Sequence, residues 1–368
     1  ERNKHSIAKS LTMRQRRRGM RLIYSGQLVG PIISQLLMAS AFGVLLIRNL
    51  GGSAFQAMLL CSLLALPRIL QIPVSLVIPP SKGKRFMVNA WITGGLLFAA
   101  ALLVTFLGFD AKIQIWLLLI FIGLASCSNM VATTFWFPLL HDIVPEDQRG
   151  RFFGKMRTFW TGSTVLAIAL TAMFLGPHPA LWKFQVVFAI LLILFFVRII
   201  LIARIQDGSI SVTNNDYSNW KKYIRHVLSR KKVLNFWLYY SLLGFFAGFL
   251  STPLVLYMSF KGFAVNNNII IYGFRTLGQV LLLLVAGVLT DRIGTKRVFL
   301  IAHFILSVIC FSVVKIGWMP LSQAKYLLAC VLIVSGGMIA MANVACITQV
   351  FHLAPDRGRA FFMSLSII

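Results

Sequence analysis

Long apolar stretches recur along this chain and constrain its fold more than any other feature. Residues 116–140 form one stretch, and residues 184–197 with their flanks form another. About 20 such residues let a helix cross the hydrocarbon core of a bilayer. The stretches are continuous, whereas the strands of a membrane barrel alternate over about ten residues. Charged residues make up only 12% of the chain, against about 25% in a soluble domain. We therefore predict an all-α fold, a polytopic bundle of transmembrane helices.

The apolar stretches between charge clusters predict ten spans. They cover residues 22–47, 54–79, 86–108, 114–140, 158–176, 182–203, 234–259, 268–290, 298–316 and 325–350. An eleventh span begins near residue 359. Because the chain starts with Glu1 rather than Met and ends soon after this point, we expect a fragment that is truncated at its C-terminus.

Lysine and arginine concentrate in alternate connections, starting with residues 1–21. The connection from Arg198 to Lys232 is as basic as residues 1–21, whereas the intervening connections and the adjoining helix ends hold six such residues in all: Arg48, Lys112, Lys183, Lys261, Lys315 and Lys325. Connections rich in Lys and Arg stay in the cytoplasm. The N-terminus is therefore predicted to be cytoplasmic, in an integral protein of a bacterial inner membrane. The same distribution accounts for the net charge of +27 without a nucleic-acid partner.

The connection at residues 205–232 divides the predicted spans into two sets. It begins with the polar segment QDGSISVTNNDYSN and continues as WKKYIRHVLSRKK, a pattern that favours a basic amphipathic helix on the anionic inner leaflet. We predict a basic N-terminal segment (1–21), an N-terminal six-helix bundle (22–204) and an incomplete C-terminal bundle (233–368) around this cytoplasmic loop.

Short basic motifs occur twice, in the same order. SKGKRF (81–86) follows the second span and DRIGTKRVF (291–299) follows the eighth, while PEDQRGRFF (145–153) follows the fourth and PDRGRAFF (355–362) follows the tenth. The members of the two pairs are separated by nearly the same number of residues, which indicates an internal duplication. A parallel repeat of six-helix halves is an architecture of transporters.

The topology and two loop motifs resemble the major facilitator superfamily over essentially the whole chain. The signature loop of that family reads approximately G-x-L-x-D-R-x-G-R-K-K, and GVLTDRIGTKR (287–297) matches it. A second family pattern, D-x-V-P-E-x-x-R-G, matches residues 142–150. The signature copy after the second span keeps only Gly83, Lys84 and Arg85, with Pro80 at the aspartate position. The resemblance implies two six-helix halves and a secondary carrier.

These loops also suggest how such a carrier closes its inner face. Gly294 permits a tight turn, and Asp291 can pair with an arginine or accept hydrogen bonds from a helix N-terminus. The predicted gating residues are Gly287, Asp291, Arg292, Gly294, Lys296, Arg297, Asp142, Glu146, Arg149 and Gly150. The alternative is that the basic side chains only anchor the helices at the interface.

Two arginines, Arg68 and Arg275, lie deep inside predicted spans that contain no Asp or Glu. An arginine in hydrocarbon costs roughly 2.5–3.5 kcal/mol, so each should face a cavity or a partner. Gln71 and Gln279 lie on the same helix faces as these arginines. We predict a cavity in which two guanidinium groups bind an anionic or polyhydroxylated substrate. The alternative is that each arginine pairs with helix-end carbonyl groups.

Other polar residues lie on spans that line the cavity in the resembled family. Gln35 is on the first span, Asn129 and Trp136 on the fourth, and Tyr240 on the seventh. They complete the predicted substrate-binding set, although hydrogen bonding between helices is an alternative role for each.

These observations predict a secondary active transporter that moves a small solute by alternating access. The solute is predicted to be an organic anion or a polar metabolite such as a sugar. The other expected partners of this monomer are the lipid bilayer and a coupling ion, H⁺ or Na⁺. A non-transporting receptor or partner subunit with the same fold is the alternative.

Catalysis is not predicted. His141 lacks an aspartate at the spacing of acyltransferases, and no Ser or Cys nucleophile with a base is apparent. The five cysteines lie in apolar stretches without CxxC spacing, which disfavours a metal site. No phosphate-binding loop for ATP is present, and no cofactor is expected.

Overall fold

The computed structural model describes residues 11–38, 41–78, 82–145, 149–206, 225 and 229–353. All regular secondary structure in these residues is helical. The helices are α1 (Met13–Val29), α2 (Pro31–Met38), α3 (Phe42–Asn49), α4 (Ala54–Ala65), a 3₁₀ turn (Leu66–Leu70), α5 (Gln71–Val77), α6 (Gly83–Val104), α7 (Ala111–Thr133), α8 (Trp136–Ile143), α9 (Arg149–Leu175), α10 (Leu181–Ala203), α11 (Lys231–Phe249), α12 (Thr252–Phe260), α13 (Val265–Ile293), α14 (Thr295–Ile316) and α15 (Leu321–Leu353).

Eight helical stretches in the described residues are long and apolar enough to cross a membrane. They are Ala54–Ser75, Gly83–Val104, Ala111–Leu140, Lys155–Leu175, Leu181–Ala203, Lys231–Phe260, Thr295–Ile316 and Leu321–Val350. The two other predicted spans, 22–47 and 268–290, fall on α1 to α3 and on α13. The predicted all-α membrane fold is confirmed, and its span count is approximate. The predicted eleventh span and the segment QDGSISVTNNDYSN lie outside the described residues, apart from Gln206.

The helices alternate in direction, which gives the bundle two ends. We call one end the basic face; it holds the starts of α6, α9 and α14 and the ends of α10 and α13. On this face Lys84 Nζ donates a hydrogen bond to the carbonyl oxygen of Ile205. Thr295 Oγ1 donates to Gln349 Oε1 on the same face, at 2.8 Å. The opposite face holds the connections at residues 50–53, 105–110, 176–180, 261–264 and 317–320.

Several predicted spans are interrupted. The second contains the 3₁₀ turn, with Pro67 in its first positions, because proline lacks the N–H that an α-helix interior requires. In the seventh predicted span, α11 ends at Phe249 and α12 begins at Thr252, with Pro253 in the first turn of α12. The fourth breaks between Thr133 and Trp136. Apolarity alone does not reveal such breaks.

Close packing of α13 against α15 organises the second half of the chain. A Cβ atom on Gly278 would lie 1.9 Å from the carbonyl oxygen of Ile333, and one on Gly336 would lie 1.8 Å from that of Arg275. Glycine at both positions therefore lets the two backbones touch, as small residues do between membrane helices.

The hydrophobic core joins the two halves near the opposite face. The large cluster around Phe42, Trp91 and Phe184 is built from the first half, residues 11–206, but it includes residues of α12 and α13 in the second half: Val255, Leu256, Ile269 and Tyr272. Nearer the basic face, the second half has a cluster of its own, around Phe236 and Phe299. Among the described residues, the buried cluster that the halves share therefore lies toward the opposite face.

Candidate functional site

Arg68 lies in the 3₁₀ turn of the second predicted span, and its side chain is exposed. Arg68 makes no hydrogen bond or ion pair among the described residues, so it is an uncompensated cation within a predicted span.

Tyr240 is held by polar groups of α15. Its hydroxyl donates to Asn343 Oδ1 at 3.1 Å, and its ring stacks on Phe236 with the ring centroids 6.2 Å apart. Asn343 is absent from the predicted substrate-binding set. Its position inside the tenth predicted span, as a polar residue in an apolar stretch, is the signal that would have identified it.

Gln71 and Asn129 lie on facing elements of the first half. Gln71 Nε2 is 3.8 Å from the sulfur of Met130. The side-chain oxygen Asn129 Oδ1 is buried without a hydrogen-bond partner, while Thr133 Oγ1 donates to the Asn129 backbone oxygen at 2.8 Å. Asn129 therefore retains an acceptor that its own helix does not satisfy.

Arg275 is tied to the break between α11 and α12. Its Nη1 donates to the carbonyl oxygen of Leu250 at 3.1 Å and to the Tyr272 hydroxyl at 2.6 Å, and its Nη2 donates to the carbonyl oxygen of Ala247 at 3.5 Å. A cation at a helix C-terminus is stabilised by the helix dipole and by the free carbonyls there. These contacts match the alternative that the sequence leaves open for Arg275, pairing with helix-end carbonyls.

Gln279 and Gln35 are half-buried, on α13 and α2. Trp136 is 7% exposed, and its ring lies 6.1 Å from that of Trp91. None of the three has a hydrogen bond to another predicted substrate-binding residue within the described part of the chain.

Arg198 is a residue whose place the sequence misjudges. It was counted with the basic connection, but α10 continues to Ala203 and encloses it. Its guanidinium carbon lies 4.4 Å from the ring centroid of Trp91 and 5.7 Å from that of Trp136. The count of basic residues assigned Arg198 to the connection although the predicted span, 182–203, already contained it.

The second-half signature loop lies on the basic face. Gly294 joins α13 to α14 with a φ of 84°, which agrees with the predicted tight turn, because only glycine adopts such angles without strain. Arg292, Lys296 and Arg297 are exposed. Five other predicted gating residues lie in helices, but the structure does not describe their side chains: Gly287, Asp291, Asp142, Arg149 and Gly150. The backbone of Glu146 also lies outside the described residues. The gating role of these residues stays a prediction.

Contacts between the halves concentrate toward the opposite face. Arg48 and Phe260 form one pair, with the guanidinium carbon 5.3 Å from the ring centroid. Thr252 Oγ1 donates to Cys61 Sγ at 2.7 Å. Below them, a Cβ atom on Gly273 would lie 2.7 Å from Ile168. The halves are thus closed against each other at this end.

No group of three or more His, Cys, Asp or Glu among the described residues could hold a metal ion. A transition metal or Ca²⁺ would need such a cluster of donors. The site residues instead offer guanidinium, amide and hydroxyl groups, which suit an organic solute.

The helical bundle and its two-half arrangement define a membrane transporter fold. The chain belongs to the Major Facilitator Superfamily, whose family model matches residues 11–367. No curated protein matches the chain.

Solved structures show the same fold at low sequence identity. A point mutant of the nucleoside transporter NupG superposes with a TM-score of 0.70 at 15% identity, covering 95% of this chain and 87% of that one. A bacterial homologue of the human lysosomal transporter Spinster, inward-facing and unoccupied, gives 0.67 at 13% identity, covering 97% and 79%. The xylose transporter XylE from E. coli, in an inward open conformation, gives 0.61 at 13% identity, covering 96% and 84%.

Proposed function

We propose that this chain is a secondary active transporter that moves a small organic anion or polar metabolite by alternating access. The observation that carries this proposal is Arg68, an exposed guanidinium within a predicted span that makes no hydrogen bond or ion pair among the described residues. A charge in a span is expensive unless water, a partner or a substrate compensates it.

The chemistry of the surrounding groups limits the classes of solute that the site could bind. A guanidinium binds carboxylate or phosphate through paired N–H donors. Gln71, Asn129 and Asn343 add amide groups that suit hydroxyl and carbonyl oxygens. Two of the solved neighbours are transporters of polar solutes by name, the nucleoside transporter NupG and the xylose transporter XylE. Arg275 and Gln279 line the same proposed cavity from the second half, and Gln35, Trp136 and Tyr240 complete it.

Alternating access requires contacts that close one end and part when the other end closes. The pairs Arg48–Phe260 and Cys61–Thr252 are the proposed closure of the opposite face. The loops around Asp142, Glu146 and Arg149, and around Asp291 and Arg292, are the proposed closure of the basic face. With the basic face in the cytoplasm of a bacterial inner membrane, this arrangement is inward-facing. A proton or Na⁺ is the proposed coupling ion of the monomeric carrier.

Counterflow in proteoliposomes tests the proposal. Vesicles are preloaded with one unlabelled solute class at a time, and uptake of the same labelled solute is followed. The panel holds organic anions, nucleosides, sugars and organic cations. We expect accumulation with an anion, nucleoside or sugar, and none with the cations. Folded protein that accumulates no member of the panel would favour the non-transporting receptor instead.

A further inference from the structure

Arg198 lies inside the first half between two tryptophans. Its guanidinium carbon sits 4.4 Å from the centroid of Trp91 in α6 and 5.7 Å from that of Trp136 in α8. Aromatic faces attract a cation electrostatically. They supply no acceptor for its N–H groups, so the rings leave the hydrogen-bonding capacity of the guanidinium unused.

No protein acceptor completes this arrangement. Within the described residues Arg198 makes no hydrogen bond or ion pair, and its Nε is buried without a partner. The indole Nε1 of Trp91 is also buried without a partner. Buried donors without acceptors are costly, and a charged one costs more. Two such donors in contacting side chains indicate that an acceptor from outside the chain belongs there.

The sequence leaves room for this side chain at Gly30, the residue that follows the end of α1. A Cβ atom on Gly30 would lie 1.7 Å from Arg198 Cδ and 2.6 Å from its Nε. Any side chain at position 30 would therefore displace the arginine. Part of the Arg198 side chain stays accessible. It lies five residues before the end of α10 at Ala203, about 8 Å from the basic end of that helix at 1.5 Å per residue.

We propose that Arg198, with Trp91 and Trp136, forms a binding site for one oxyanion, a carboxylate or a phosphate group, reached from the basic face. The guanidinium supplies charge and paired donors, and the two rings hold it in place. The site shares Trp136 with the proposed substrate cavity, but Arg198 and Trp91 do not belong to that cavity, and anion binding at Arg198 does not depend on whether the chain transports. The same oxyanion chemistry is offered by a free anion and by the headgroup of an anionic lipid.

Intrinsic tryptophan fluorescence tests the site, because Trp91 and Trp136 contact the proposed ligand position. Sodium phosphate and sodium acetate are titrated onto the full chain in detergent at constant ionic strength. The spectrum is also compared between nanodiscs of phosphatidylglycerol and of phosphatidylcholine. A saturable change in detergent identifies a free anion. A spectral difference between the nanodiscs without a detergent response identifies a lipid headgroup.

Variants connect either response to Arg198. Arg198→Gln should weaken binding about tenfold or more, since a charge-assisted hydrogen bond is lost, and Arg198→Lys should restore part of it. Arg204→Gln, at the exposed end of the same helix, should bind as the wild type does.

A second pair of variants keeps the test decisive if Arg198→Gln fails to fold. Gly30→Ala should abolish the response by displacing the arginine. Gly26→Ala, one turn away, should keep it, because its Cβ would meet only Ile202 at 3.1 Å and Arg198 Cγ at 3.9 Å. No response in the wild type, or equal responses in Gly30→Ala and Gly26→Ala, would overturn the proposal.

Discussion

The guanidinium of Arg48 lies over the ring of Phe260, with 5.3 Å between its carbon and the ring centroid. Arg48 lies in the last turn of α3 in the first half and Phe260 ends α12 in the second, so this pair bridges the halves at the opposite face. Arg48 Nη1 also donates to the Gly52 carbonyl oxygen at 2.9 Å, which fixes the guanidinium over the ring.

Removing this bridge should loosen the opposite face. Arg48→Ala forfeits a cation–π contact, so the population open at that face should rise roughly two- to fivefold. The measurement is the rate at which an impermeant maleimide labels Cys61, with the other four cysteines replaced by alanine. Lys183→Ala is the matched control, because the interactions of Lys183 within the described residues are with first-half groups, Leu175, Phe174 and Trp182. Equal labelling rates in wild type and Arg48→Ala would remove this pair from the closure.

Arg68→Ala should abolish transport and leave folding and membrane insertion intact. Its side chain is exposed and has no hydrogen bond or ion pair within the described residues, so its loss removes substrate binding rather than packing. Counterflow of the solute that the wild type accepts is the measurement. Arg85→Ala, an exposed arginine in the first turn of α6, is the control and should transport normally. Wild-type counterflow by Arg68→Ala would exclude Arg68 from the site.

Arg275→Ala should act mainly on stability. It leaves the carbonyls of Leu250 and Ala247 without their donor, and we expect the free energy of unfolding to fall by about 2 kcal/mol. Unfolding in mixed detergent micelles, followed by circular dichroism, measures this. Arg275→Lys should recover part of the loss. A variant as stable as the wild type but unable to transport would assign Arg275 to binding alone.

Gly336→Ala should separate α13 from α15. The added methyl group would lie 1.8 Å from the Arg275 carbonyl oxygen, and relieving that overlap should cost about 3 kcal/mol of unfolding free energy. Gly244→Ala is the control, because nothing lies within 4 Å of a Cβ atom there and alanine favours the helix by about 1 kcal/mol. If both substitutions change stability equally, the close approach of these helices is wrong.

The fold could be predicted from the sequence because apolar stretches and basic loops can be recognised without knowledge of tertiary contacts. The stretch at 182–203 became α10 at Leu181–Ala203, and Gly294 adopted the turn that its motif indicates. The breaks at Leu66–Leu70 and at Ser251 were not predicted. Both coincide with a proline, Pro67 and Pro253, whose effect on a helix a hydropathy pattern does not contain.

The site was predictable only in part, because contacts between helices are not contained in the sequence pattern. Arg68 and Arg275 look equivalent in the sequence, yet Arg275 meets three acceptors whereas Arg68 remains exposed. The difference arises from the interrupted seventh span, whose carbonyls reach Arg275. Arg198 was missed because its tryptophan neighbours lie on other helices, far away in sequence.

The most direct test of transport by alternating access is counterflow through a chain locked shut at the opposite face. Thr252→Cys places a second thiol where Thr252 Oγ1 lies 2.7 Å from Cys61 Sγ, a separation that a disulfide can bridge. We predict that the reduced variant accumulates the solute that the wild type accepts, that mild oxidation stops it, and that reductant restores it. Undiminished counterflow through the oxidised, cross-linked variant would contradict the account.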